Sequence, residues 1–163
     1  MNKTRKIVRA SMFAAVIFVV TALIKIPVPK GYINLGDAVI LISAWILPPS
    51  YSFLAASIGS FLSDIVLGYT IYAPVTFLIK GLMALIFYSL YKRLSLKNNN
   101  ILPFLLGGIV SEFFMVSGYL IFESFLYGFI PSLINTPINL IQGSVSLIVG
   151  MIFYKMFNKR GKF

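Results

Sequence analysis

Residues 101–122 read ILPFLLGGIVSEFFMVSGYLIF, an unbroken apolar run with Glu112 as its one charged side chain. A hydrocarbon layer about 30 Å thick requires roughly 20 apolar residues per helical crossing. Backbone amides inside that layer must be satisfied within the segment, so such a run reads as a spanning helix. Working outward, comparable runs cover Ile7–Ile26, Ser52–Leu67, Tyr72–Tyr91 and Thr136–Phe157, with a shorter one at Ala38–Leu47. Hydrophobic residues make up 59% of the 163-residue chain and charged residues only 11%, too apolar a balance for a soluble core of this size. The reading is all-α and polytopic: one membrane domain over residues 1–163, with six transmembrane helices near 7–26, 36–48, 51–68, 72–92, 101–123 and 135–157.

The basic residues fix the expected orientation. Lys3, Arg5, Lys6 and Arg9 precede the first helix, Lys92, Arg93 and Lys97 follow the fourth, and Lys155, Lys159, Arg160 and Lys162 follow the sixth. With six crossings these eleven fall on one face, which the positive-inside rule makes cytoplasmic, termini included. Lys25 and Lys30 belong to outer loops and Lys80 lies within a helix. The net charge of +10 is thereby an orientation signal, because basic residues split among three short tails cannot line one phosphate-binding groove. Nucleic acid is not an expected partner; the lipid bilayer is. The basic start followed by an apolar run resembles a signal peptide, yet the run is long enough to span and is expected to be retained.

The chain has no cysteine and no histidine, which removes disulfides, thiolate metal sites and the commonest general base. Neither a P-loop nor an HExxH or GxSxG motif is present, so no catalytic or metal-binding residue is assigned. Between helices, Ile26–Gly36 forms a shaped outer loop rich in proline and glycine. Pro48-Pro49 makes a tight inner turn, and Gly128–Pro137 is expected to be a loop between the fifth and sixth helices.

Polar side chains within the slab are costly and face a partner or a cavity. Tyr72, Thr76 and Lys80 recur at i, i+4 and i+8 on one helical face, and Asn135, Asn139 and Gln142 at i, i+4 and i+7 on another, continued by Ser146. Glu112, Tyr119 and Glu123 share a face of the fifth helix. Nearly all lie in the outer half, while the inner halves of the fourth and sixth helices are Leu, Ile, Phe and Met. That asymmetry suits a pocket open outside and closed below, the shape a small organic ligand needs. Lys80 either contacts the ligand or pairs with Glu112 or Asp64, and Asp37 is placed to cap the second helix. The amide stripe is expected to face the ligand. Small residues at Ala55, Gly59 and Ser63, and at Ser52, Ala56 and Ser60, let the third helix pack closely on two sides. Ala10 and Ala14 give a further small-residue spacing on the first helix, which intramolecular packing also explains.

These features resemble the substrate-binding S components of energy-coupling factor (ECF) vitamin transporters. The resemblance spans the chain: six helices, the Ala10/Ala14 pair, Gly31-Tyr-Ile-Asn-Leu-Gly-Asp37, Pro48-Pro49, Gly59-Ser-Phe-Leu-Ser-Asp64, Gly68 and Tyr72-Ala-Pro-Val-Thr-Phe-Leu-Ile-Lys80-Gly81. It implies tight vitamin binding from outside, beneath the first outer loop, which adds Tyr32, Asn34 and Asp37 to Tyr72, Thr76, Lys80, Tyr119, Asn135, Asn139 and Gln142 as ligand-binding residues. It further implies docking through the first helix, at Ala10 and Ala14, onto a transmembrane coupling protein that sits on two cytoplasmic ATPase subunits. ATP would be hydrolysed by those partners, so the chain itself needs no cofactor and is no enzyme. Multi-pass residence in a bacterial plasma membrane follows.

The segment Ile33-Asn-Leu-Gly-Asp37 stands where riboflavin-type members carry a Lys-Leu-Asp-Phe-Ser-Asp-like run, and it is similar to the branch linked to hydroxymethylpyrimidine or pyridoxine. That branch is the favoured ligand class, with riboflavin, pantothenate, cobalamin and queuosine precursors as the alternatives. A rival class is a self-sufficient ion-coupled transporter with Glu112 or Asp64 as its proton site. A second rival, an intramembrane enzyme using Asp37 and Asp64, has no motif behind it.

Overall fold

The computed structural model describes residues 2–28, 31–96 and 101–158. Six helices form: α1 (Lys3–Leu23), α2 (Gly36–Ile46), α3 (Pro49–Val66), α4 (Ala73–Ser95), α5 (Leu102–Tyr127) and α6 (Phe129–Asn158). By length and hydropathy, α1, α4, α5 and α6 can each cross a membrane. The helix α3 is interrupted by serines, and α2, at 11 residues, reaches only about 16 Å. A helix that short stays in an apolar environment only when protein surrounds it. Accordingly α2 packs against α1, α3, α4 and α6, with Ile40, Leu41, Ser43 and Ala44 fully buried.

Local chemistry sets the boundaries. Asn2 caps α1 by accepting from the Arg5 amide at 3.2 Å. Proline sits at the start of α3, α4 and α5, where a missing amide hydrogen costs nothing. The expected outer loop is a β-hairpin, β1 (Lys25–Val28) paired antiparallel with β2 (Gly31–Asn34), in the register Lys25 with Asn34 and Ile26 with Ile33.

The expected loop at Gly128–Pro137 is not one. Gly128 alone separates α5 from α6, its φ of 88° breaking the helix, and α6 then runs continuously through Pro137. Pro131 falls in the first turn of α6, where its missing donor is harmless. Pro137 forfeits one internal bond, but a loop at membrane depth would forfeit several.

The stripe Ala55, Gly59 and Ser63 of α3 packs closely on α1 as its spacing suggests, and on the α4 side a polar contact comes from Ser57, outside both stripes. A methyl placed on Gly59 would lie 2.6 Å from the Ala14 carbonyl of α1. Ser63 Oγ donates to the Phe18 carbonyl of α1, and Ser57 Oγ to the Phe77 carbonyl of α4. The end opposite the hairpin is sealed by aromatics. Phe87 and Phe104 meet edge to face at 4.9 Å, Trp45 Nε1 donates to Tyr91 OH at 3.2 Å, and the Tyr91 and Tyr154 hydroxyls are 3.3 Å apart. Lys30, the link at residues 97–100 and the basic residues Lys159, Arg160 and Lys162 lie outside the described residues.

Candidate functional site

The hairpin and the helix ends nearest it enclose one pocket, with about 580 Å³ of space between side chains, part of it open to the exterior. Of the ten ligand-binding candidates, nine line it: Tyr32, Asn34, Tyr72, Thr76, Lys80, Tyr119, Asn135, Asn139 and Gln142. Asp37, the tenth, lies directly behind, fully buried in the first turn of α2.

Asp37 organises the floor. Its Oδ1 accepts from Lys80 Nζ at 2.5 Å, and its Oδ2 from Gln142 Nε2 at 2.7 Å. The carbonyl oxygen of Gln142 accepts in turn from the Asn34 backbone amide at 3.1 Å and from Asn34 Nδ2 at 3.2 Å. Asn34 Oδ1 takes the Gly36 amide at 2.8 Å. One network thus ties β2, α2, α4 and α6 together. A buried charge persists only when paired and hydrogen-bonded, and Asp37 and Lys80 meet both conditions. The partner of Lys80 is therefore Asp37, and neither Glu112 nor Asp64. Nor does Asp37 cap α2, whose cap position is Leu35; it stands inside the first turn, and Asn34 satisfies the first free amide.

The walls are aromatic with polar tips. Tyr32 OH donates to Asp64 Oδ1 at 2.7 Å; burial, with the neighbouring carboxylate adding to it, pushes the Tyr32 phenol well above its ordinary range, so it stays a donor. Thr76 Oγ1 and Tyr119 OH are 3.0 Å apart, and the Lys80 ammonium lies 5.4 Å from the Tyr119 ring centre. Tyr72 packs edge to face on Phe122 at 5.4 Å. Asn135 Nδ2 reaches both Glu123 oxygens, at 2.9 and 3.0 Å. Within the amide stripe, then, Asn135 and Gln142 hold neighbouring side chains. Asn139 lines the pocket with no side-chain hydrogen bond among the described residues.

Thr21, Ser60, Asp64, Tyr69 and Glu123 also line the pocket and were not among the ten. Glu123 and Asp64 carry a detectable signal as acids in apolar surroundings. Thr21 and Tyr69 carry none, sitting in an apolar run and a short connection. Glu112 shares a helical face with Tyr119 and Glu123 yet does not line the pocket; it turns toward α6 at Gly143. On α1, Ala10 is buried and Ala14 half-buried toward α3, whereas Ser11 and Ala15 are exposed.

Four helices long and apolar enough to cross a bilayer, a buried central helix and a one-ended pocket describe a multi-pass membrane protein of the cell membrane with room for a small molecule. The chain belongs to the family described as ECF-type riboflavin transporter, S component, whose profile matches residues 1–159. It is 33% identical over 134 residues to the "Uncharacterized protein in gap 3'region" of Pyrococcus woesei, covering 81% of this chain and 87% of that one. Its fold is similar to the solved structure described as "Structure and mechanism of the S component of a bacterial ECF transporter", with a TM-score of 0.77, 23% identity, and coverage of 99% of this chain and 100% of that one. S components are the substrate-binding subunits of ECF transporters rather than enzymes, and they work with an ECF module and a small-molecule substrate.

Proposed function

We propose that this chain captures a water-soluble vitamin or precursor in the hairpin-end pocket, from outside the cell, and delivers it to an ECF module. The observation that carries this reading is convergence: side chains from β2, α4, α5 and α6 meet around one space, and the Asn139 amide has no side-chain hydrogen bond among the described residues. An orphan amide and tyrosine walls suit a flat heteroaromatic ring bearing hydroxyl groups, stacked on its faces and hydrogen-bonded at its edges.

The family's description puts riboflavin first among ligands. A second reading, hydroxymethylpyrimidine or pyridoxine, rests on Ile33-Asn-Leu-Gly-Asp37, which departs from the run expected of riboflavin-type members. In both readings the residues 1–163 form one domain that crosses the membrane six times with cytoplasmic termini. Docking runs through α1, near Ala10 and Ala14, onto a transmembrane coupling protein with two cytoplasmic ATPase subunits. Those subunits hydrolyse ATP; this chain needs no cofactor. The aromatic seal at the far end favours capture and handover over a self-sufficient ion-coupled transporter, which needs a polar path through.

Equilibrium titration of the purified chain in lipid nanodiscs with riboflavin, hydroxymethylpyrimidine and pyridoxine tests the reading. Saturable binding of one of them supports it and names the ligand. Failure of all three, and of pantothenate, cobalamin and a queuosine precursor, would sink it.

A further inference from the structure

A second cavity lies between α5 and α6, away from the capture pocket, with about 160 Å³ of free space. Ile109, Phe113, Leu140 and Leu147 wall it, and Glu112 and Ser144 supply its polar atoms. Phe113 is 66% exposed, and Ile109 and Leu140 are each about half exposed. On helices this apolar, those side chains face lipid, so the groove opens sideways into the bilayer.

Glu112 is what makes the groove unusual. It is only 6% exposed, and neither of its carboxyl oxygens has a hydrogen-bond partner among the described residues. The opposing residue on α6 is Gly143, where a methyl would come within 2.9 Å of Oε2. Glycine there leaves the carboxyl its space. A buried polar atom without a partner is costly, and native structures rarely leave two on one side chain. The carboxyl lacks a hydrogen-bond partner, and no protein group described supplies one.

The volume says what else the ligand must be. An enclosed apolar cavity of about 150 Å³ accepts benzene, and this groove, open on its lipid side, offers similar room. One aromatic ring or a short alkyl chain therefore fills this groove, and its single donor must reach the carboxyl. An amine serves best: it crosses lipid as the neutral base, takes the proton that an unpaired buried carboxyl retains, and as an ammonium donates back to the resulting carboxylate, a bond stronger than one between neutral groups. We propose that the α5–α6 groove binds a small lipid-soluble amine that enters from the bilayer and donates to Glu112. Gly143 directly follows Gln142, which holds Asp37 beneath the capture pocket, so an occupant would brace the helix that carries the pocket floor.

Thermal unfolding of the full chain in nanodiscs, with benzylamine, toluene or phenylacetate added, tests this. Benzylamine should raise the unfolding temperature saturably and bind roughly tenfold or more tightly than toluene, the gain expected of one charge-assisted bond. Phenylacetate, which brings a second acid, should give no protection. Glu112→Leu, suited to a membrane helix, should erase the preference for amine over toluene. Ser144→Phe, which fills the mouth from an exposed position, should abolish both. Equal protection by benzylamine and toluene in the wild type overturns the proposal without any variant. An amine preference that survives Glu112→Leu overturns it too.

Discussion

Removing either end of the Asp37–Lys80 pair tests whether the pocket floor is held as described. Asp37 is fully buried and accepts from both Lys80 and Gln142, so Asp37→Leu strands an ammonium and an amide at once. Breaking a buried pair from one side costs about 3–5 kcal/mol, or roughly a hundredfold to several thousandfold in the folding constant. Lys80→Met should cost a similar amount, since it leaves the Asp37 carboxylate with Gln142 alone. The double variant removes both charges and leaves side chains of suitable size. It should recover most of the loss, because an apolar replacement for a buried pair is often neutral. The coupling between the two changes should then be about 3 kcal/mol or more. Equilibrium unfolding in mixed micelles, followed by helicity, measures all four corners of the cycle. Additive costs, or single losses below about 1 kcal/mol, would mean the two groups do not hold each other and the network is misread.

Three further outcomes are expected. Asn139→Leu should leave folding intact and weaken vitamin binding about tenfold to a hundredfold, the effect of stranding one ligand hydrogen bond at 1–3 kcal/mol; titration of the variant checks it. Ala14→Trp should preserve vitamin binding while abolishing co-purification with the coupling protein if α1 docks there, whereas a joint loss of binding and melting temperature would assign Ala14 to its contact with α3. Single cysteines at Asn2 and Lys25, both exposed at opposite ends of α1, should differ in intact cells: a membrane-impermeant maleimide should label Lys25→Cys only.

The membrane character and the helical part of the pocket lining were legible because each rests on a distribution or a period, whereas Tyr32 and Asn34 came from the family resemblance alone. Helical phase put Tyr72, Thr76 and Lys80 on one face and Asn135, Asn139 and Gln142 on another, and in the structure both faces look into one pocket. Phase within a helix says nothing of how neighbouring helices are rotated about one another. Glu112 and Asp64 were therefore the two carboxylates weighed for Lys80, and the buried, two-acceptor position of Asp37 on α2 could only be seen once α2 was surrounded. The stretch Gly128–Pro137 misled for a different reason. Proline and glycine are stop signals when water can take up the freed backbone groups, but next to lipid the helix persists through Pro137 because nothing else would satisfy its neighbours. The hairpin was hidden because prolines and glycines mark a turn without revealing the Lys25–Asn34 pairing on either side.

The most direct test of vitamin capture is native mass spectrometry of the chain released from nanodiscs after expression in cells supplied with vitamins. The account predicts a second population heavier by the mass of one vitamin or precursor, at one per chain, and strongly reduced in Asn139→Leu. A wild-type chain that carries no such ligand, even after incubation with an excess of each candidate vitamin, would contradict it.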